Sequence, residues 1–201
     1  MFALSIPLIL STFGIIFVAE LPDKTSLAAL VLATKYKALD VIAGVWLALL
    51  IQTIVAVLVG GIFTFLPTQP VRIAAGIGFL VFAVLAYRRK EDEVEKEEED
   101  EVAHAKKRRP AWLISFLIIF AAEWGDLTQL ATVALVAQNG HPLSIGIGAI
   151  LALWAVTIIA VVSGSQLSRF FNPKTLNLIS ALLFGAVGIF IIVSAFVATP
   201  F

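Results

Sequence analysis

Acidic residues are scarce in the apolar part of this chain, and the four that occur there form two matched pairs. Glu20 and Asp23 stand in AELPDKTS, with Thr25 and Ser26 just beyond; Glu123 and Asp126 stand in AEWGDLTQ, with Thr128 and Gln129 just beyond. Carboxylate, hydroxyl and carboxamide oxygens at that density can hold a hard cation or carry protons. On a regular helix an i, i+3 pair lies about 60° apart and one turn along, so each pair is expected to share a face. An acid at the centre of a membrane helix costs about 2.5–3.5 kcal/mol, so four would cost on the order of 10 kcal/mol. A purely structural bundle has nothing to set against that.

The middle of each motif adds further oxygens. Pro22 removes an amide hydrogen and displaces the carbonyl of Val18, and Gly125 loosens the same place in the second motif, so both are expected to break their helices. A freed carbonyl beside two carboxylates is a cation ligand. Thr25, Thr128, Ser26 and Gln129 either ligate directly or bond back to their own helices. The donor set is all oxygen, which suits Ca²⁺, Mn²⁺ or Mg²⁺ better than zinc or copper. The chain has no cysteine, so thiolate sites and disulfides are excluded. His104, in a charged stretch, and His141, in a short loop, are read as solvated. Lys24 is the one base near the acids; it neutralises at most one of them, and either tethers a carboxylate or extends to the interface.

These motifs need elements to hold them, and the composition says of what kind. Of 201 residues, 60% are hydrophobic and 14% charged, with a mean hydropathy of +1.01, which excludes a water-soluble globule. Nine of the 14 acids fall between Glu91 and Glu101, which leaves the motif acids and Asp40. Apolar runs of about 20 residues mark membrane spans. Six are expected, over residues 2–34, 41–64, 71–87, 111–137, 143–167 and 175–198, with breaks at 35–40, Pro67 and Pro70, Gly140 and Pro142, and Asn172-Pro173. The fold class is therefore an all-α polytopic membrane protein. Residues 88–110 are nearly all charged and form a linker that cannot bury anything. Lys35, Lys37, the eight basic residues between Arg88 and Arg109, Arg169 and Lys174 share one side, against Arg72 alone on the other. By the positive-inside rule the linker is cytoplasmic and both termini lie outside the cytoplasm. The first residues lack a basic n-region and a cleavage site, so a retained first span in a bacterial inner membrane is the simplest expectation. A zero net charge without basic patches argues against a nucleic-acid partner. The sequence leaves a homo-oligomer open.

The halves also repeat. FVAELPDKTSLA at 17–28 lies over FAAEWGDLTQLA at 120–131, and Gly44, Ala48, Leu49, Thr53, Ile54, Ala56, Val57 and Gly60 correspond to Gly148, Ala152, Leu153, Thr157, Ile158, Ala160, Val161 and Gly164. Three spans per unit make the second unit enter from the opposite side. The expected architecture is thus two inverted-topology three-helix repeats, residues 1–87 and 111–201, with a site near the midplane where they meet. The repeated glycines are expected to permit close helix approach. Gln52 and Thr53 could reach an ion path, although interhelical hydrogen bonding is the plainer role for Gln52. Trp46, Trp112, Trp124 and Trp154 divide between interfacial anchoring and packing.

Four carboxylates crowded in a low-dielectric interior cannot all stay ionised without a cation, so a divalent ion and about two protons would exclude one another. That arithmetic describes a cation/proton antiporter. Three other readings stand beside it: an exporter of a small organic cation or amino acid, a passive divalent channel, and an intramembrane aspartyl protease using Asp23 and Asp126.

AELPDKTS and AEWGDLTQ resemble the paired E-x-G-D-[KR]-[TS] signatures of the Gdt family of cation/proton exchangers, which includes MneA-type bacterial manganese exporters. The resemblance covers the whole chain: six spans, one motif in the first span of each repeat, and a charged central loop. It implies a protein that is not an enzyme and needs no cofactor, and that moves Mn²⁺ or Ca²⁺ out of the cytoplasm against protons. Glu20, Asp23, Glu123 and Asp126 would form its ion site, and Thr25 and Thr128 occupy the family's hydroxyl position. Two departures are visible: Pro22 stands at the usual glycine, and Leu127 at the usual basic residue.

Overall fold

A computed structural model of the chain describes residues 4–20, 24–88, 110–163 and 173–197, and among them all regular structure is helical. In chain order the helices are α1 (Ile6–Glu20), α2 (Lys24–Lys35), α3 (Ala38–Phe63), α4 (Thr68–Arg88), α5 (Ala111–Ala122), α6 (Leu127–Asn139), α7 (Pro142–Ser163) and α8 (Pro173–Val197).

Local chemistry sets most boundaries. Asp40 falls in the first turn of α3, where a carboxylate suits the positive end of the helix dipole. Pro70, expected in a loop with Pro67, lies instead in the first turn of α4, where its missing N–H costs nothing. Gly140 ends α6 in the left-handed conformation (φ 67°), and its N–H bonds the carbonyl of Val136. Pro142 and Pro173 open α7 and α8. Residues 89–109, the charged linker, lie outside the described residues.

Among the described residues three helices, α3, α4 and α7, are long and apolar enough to cross a bilayer; α5 and α6 together make a fourth crossing if their 68° bend is counted within one span. This divides the span expected over 111–137. The reason is local: residues 123–125 form a turn, with Gly125 at φ 78°, and Asp126 starts a new helix. Within the first expected span the structure describes α1 and α2, and residues 21–23 between them lie outside the described residues.

Packing runs across the chain rather than along it. Helix α1 lies on α7, and α5 lies on α3; α2 packs against α7, and α6 against α3; α3 meets α7, and α4 meets α8. Gly44 makes the α3–α5 contact so close that an added Cβ would overlap the carbonyl of Trp112 and stand 2.9 Å from Ser115 Cβ. Gly148 does the same on α7, where a Cβ would stand 2.6 Å from the carbonyl of Ile9 and 2.9 Å from Thr12 Cβ. Stacked phenylalanines recur one turn apart on α1 and α5: Phe13 with Phe17 at 5.4 Å, Phe116 with Phe120 at 5.3 Å. Polar side chains such as Thr12, Gln52, Thr53, Ser115 and Thr157 are buried, while leucines, isoleucines and phenylalanines cover the outside. That inside-out distribution is what a lipid solvent selects.

Candidate functional site

The bend between α5 and α6 is built from backbone hydrogen bonds that tighten the end of α5 and then turn the chain by 68° into α6. Glu123 N–H reaches the carbonyl of Ile119 at 2.9 Å, Trp124 N–H that of Ala121 at 3.5 Å, and Asp126 N–H that of Glu123 at 3.3 Å. Glu123 is the C-cap of α5, with φ −96° and ψ 6°. Gly125 then takes a positive φ that a side chain would resist. Asp126 is the N-cap of α6: Oδ1 accepts from Gln129 N–H at 2.8 Å, and Oδ2 accepts from Thr128 N–H at 3.2 Å and Thr128 Oγ1 at 2.7 Å. Gln129 completes a variant of the capping box, its Oε1 accepting from Gly125 N–H at 2.6 Å. Glu123 and Asp126 therefore do not share a helical face, as the three-residue spacing suggested; they flank a break.

They still converge, and they do so on the first half of the chain. Glu20, the last residue of α1, is 1% exposed and Glu123 is 2% exposed. One carboxylate oxygen from each of Glu20, Glu123 and Asp126 lies within 4.8 Å of the others. Two oxygens bound to one ion at ~2.2–2.5 Å are at most ~5 Å apart, so the spacing fits a shared Ca²⁺- or Mn²⁺-sized ion. Beside the carboxylates lies a recess lined by Leu49, Gln52, Thr53 and Ala56 of α3, Thr128, Gln129 and Thr132 of α6, and Leu153 of α7.

Of the residues singled out from sequence, Asp23 and Pro22 lie outside the described residues, and nothing is described of the side chains of Lys24, Thr25 and Ser26. Val18 sits in α1 half a turn before Glu20. Gly125, expected as a helix break, lies in the turn between α5 and α6 with φ 78°. Thr128 donates its hydroxyl to Asp126 Oδ2 at 2.7 Å instead of bonding back to its helix, and its side chain lies on the recess. Thr53 bonds back to the carbonyl of Leu49 at 2.7 Å. Gln52 bonds between helices, its Nε2 donating to the carbonyl of Phe120 at 3.0 Å. His141 is exposed, and Trp124, 56% exposed, lies tilted against Phe120 with ring centroids 5.0 Å apart. Sequence reasoning missed the stack of Trp46 on Trp154, 4.4 Å between centroids, where α3 crosses α7. No spacing rule links those two, because they are not repeat counterparts.

A family model described as "Divalent cation/proton antiporter GDT1" matches residues 8–94 and 111–199, the two segments on either side of the charged linker. The chain belongs to the GDT1 family. Among curated relatives it is 39% identical to GDT1-like protein sll0615 of Synechocystis sp., over 85% of this chain and 89% of that protein. It is 32% identical to the Arabidopsis thaliana protein named PAM71-homolog, chloroplastic, over 87% of this chain and 56% of the other, and 32% identical to GDT1-like protein 2, chloroplastic, of Oryza sativa, over 87% and 57%. The chain thus spans most of the cyanobacterial relative and little more than half of those two plant proteins. No solved structure matches. GDT1 proteins are transporters of divalent cations and protons, not enzymes, and this removes the protease alternative.

Proposed function

We propose that this GDT1-family chain is a secondary transporter exporting Mn²⁺, Ca²⁺ or both from the cytoplasm in exchange for protons, at a site formed by Glu20, Glu123 and Asp126 together with Asp23. The observation that carries the reading is the buried convergence of Glu20, from one half of the chain, with Glu123 and Asp126, from the other. Carboxylates that close together in a low-dielectric interior demand positive charge, which one divalent ion or a set of protons can supply. Binding one excludes the other, and exchange follows if only the compensated forms reorient. The metal is cargo, and no resident cofactor is invoked.

An inverted repeat is supported by the paired contacts: Gly44 against α5 and Gly148 against α1, α6 on α3 and α2 on α7. Each arm that carries a motif leans on the long helix of the opposite half, an arrangement suited to rocking around a fixed site. The excess of Lys and Arg in the linker and its neighbouring loops supports a cytoplasmic linker with both termini outside. For a cell without organelles this means the inner membrane.

The test is purified protein in liposomes, with Mn²⁺ and Ca²⁺ uptake recorded alongside internal pH. Exchange predicts that cation entry is matched by proton exit and is driven by an imposed pH gradient. Cation flux indifferent to the gradient would identify a channel instead, and competition of an organic cation for the same site would point to the other exporter class.

A further inference from the structure

Two hydrogen bonds running in opposite directions tie the α5–α6 bend to α3. Gln52, 4% exposed, donates from Nε2 to the carbonyl of Phe120 at 3.0 Å, and its own backbone carbonyl accepts from Gln129 Nε2 at 3.3 Å. In an uninterrupted helix the carbonyl of Phe120 would accept from the N–H of Trp124. That N–H bonds Ala121 instead, so the bend deprives Phe120 of its helical partner and Gln52 supplies one. Gln129 holds the other end, accepting from Gly125 N–H and giving its backbone N–H to Asp126. Phe120, Gln52, Gln129 and Gly125 thus form a chain of contacts around Glu123. The tie is one-sided in sequence: Val156 stands where the repeat would place Gln52, and Ser26 where it would place Gln129.

We propose that Gln52 is a positioning residue for the cation site, fixing the bend against α3 so that Glu123 and Asp126 meet Glu20 in a set geometry. This rests on the reading of that carboxylate cluster as the cation site. Affinity for a hard cation depends on how rigidly its oxygens are held, as well as on their number. Without the Gln52 carboxamide, the half-buried carbonyl of Phe120 near the end of α5 loses its partner, and the bend relaxes to satisfy it. Glu123, one residue beyond Ala122 at the helix end, moves with it. Gln52 need not touch the ion to set its affinity.

The experiment measures equilibrium Mn²⁺ and Ca²⁺ binding to the purified full chain, together with amide exchange across residues 119–127, for the parent, Gln52→Met, Gln129→Met and the double variant. Methionine keeps the length of the side chain and removes its hydrogen bonds. Gln52→Met is expected to weaken Mn²⁺ binding about tenfold at unchanged stoichiometry per folded protein, with faster exchange at the bend. Gln129→Met is expected to act in the same direction. The double variant should stay close to the weaker-binding single rather than multiply the two losses, because both side chains act on one bend. An unchanged dissociation constant in Gln52→Met, even with poorer yield or lower melting temperature, overturns the proposal, as does a double variant equal to the product of the singles. A parent that binds neither ion overturns the functional reading and this inference with it. A parent that binds, with Gln52→Met binding equally well, leaves the functional reading standing and removes this inference alone.

Discussion

Helices α3 and α7 hold matching places in the two halves, and the residues that pack them match while one polar residue does not. Gly44 and Gly148 each admit the opposite half's first helix to backbone contact. Thr53 and Thr157 each fold their hydroxyl onto their own helix, at the carbonyls of Leu49 and Leu153, at 2.7 and 2.8 Å. At the next position towards the N-terminus, α3 has Gln52 and α7 has Val156. Valine has no group that could do for α1 what Gln52 does for α5. Close packing is therefore shared between the halves, and hydrogen-bonded control of a motif is assigned to one of them.

The sharpest way to break that comparison is to remove the charges that both halves contribute. Glu20→Gln and Glu123→Gln are each expected to lower cation affinity by roughly a hundredfold or more and to abolish coupled proton movement, because ligand charge count dominates affinity for hard cations. Binding and exchange assays on the two variants check this; a Glu20→Gln protein that binds normally would remove Glu20 from the site.

Acidity tests the same cluster without mutation. If the ion displaces protons, apparent affinity falls as pH falls, by about tenfold per pH unit for each proton displaced. Titrations of Mn²⁺ binding at several pH values give the number of protons, and repeating them in Glu20→Gln and Glu123→Gln shows how the halves share them.

Packing gives a smaller and symmetrical effect. Gly44→Ala and Gly148→Ala each push a methyl group into the backbone of a facing helix and are expected to destabilise the fold by about 1–3 kcal/mol, or more where the helices cannot separate. Thermal unfolding in detergent should place the two variants close together; a large difference would show that the halves are not equivalent scaffolds. The smallest effect expected is for Thr53→Val and Thr157→Val, within about 1 kcal/mol of the parent and of each other, since each loses only a back-bond within its own helix.

How much of this was legible in the sequence depends on how local the cause was. Gly140, Pro142 and the close-approach glycines announced themselves, because a positive φ, a helix start and an absent Cβ are properties of single residues. A break at Gly125 is legible, but the shared helical face suggested for Glu123 and Asp126 is not what forms, since i, i+3 spacing fits both a continuous helix and a C-cap followed by an N-cap. A signal for the break was present: Asp126 with Gln129 three residues later is a helix-start pattern, and Gly125 precedes it. Gln52 was visible as a buried amide with an interhelical role, but its partner at Phe120 was not, because that carbonyl becomes available only through a bend elsewhere.

What the sequence determined by itself was the inventory: four acids in apolar surroundings, duplicated at one offset, in a chain too greasy for water and with its charge gathered in one linker. Side-chain chemistry and hydropathy are properties of composition and order, so they can be read without coordinates. What only the tertiary structure decided was that Glu20 meets Glu123 and Asp126, that each arm rests on the opposite half's long helix, and that Gln52 ties one arm to its support. Those depend on where separate helices come to lie beside one another, which is set by the sum of many weak packing contacts and by no single residue along the chain.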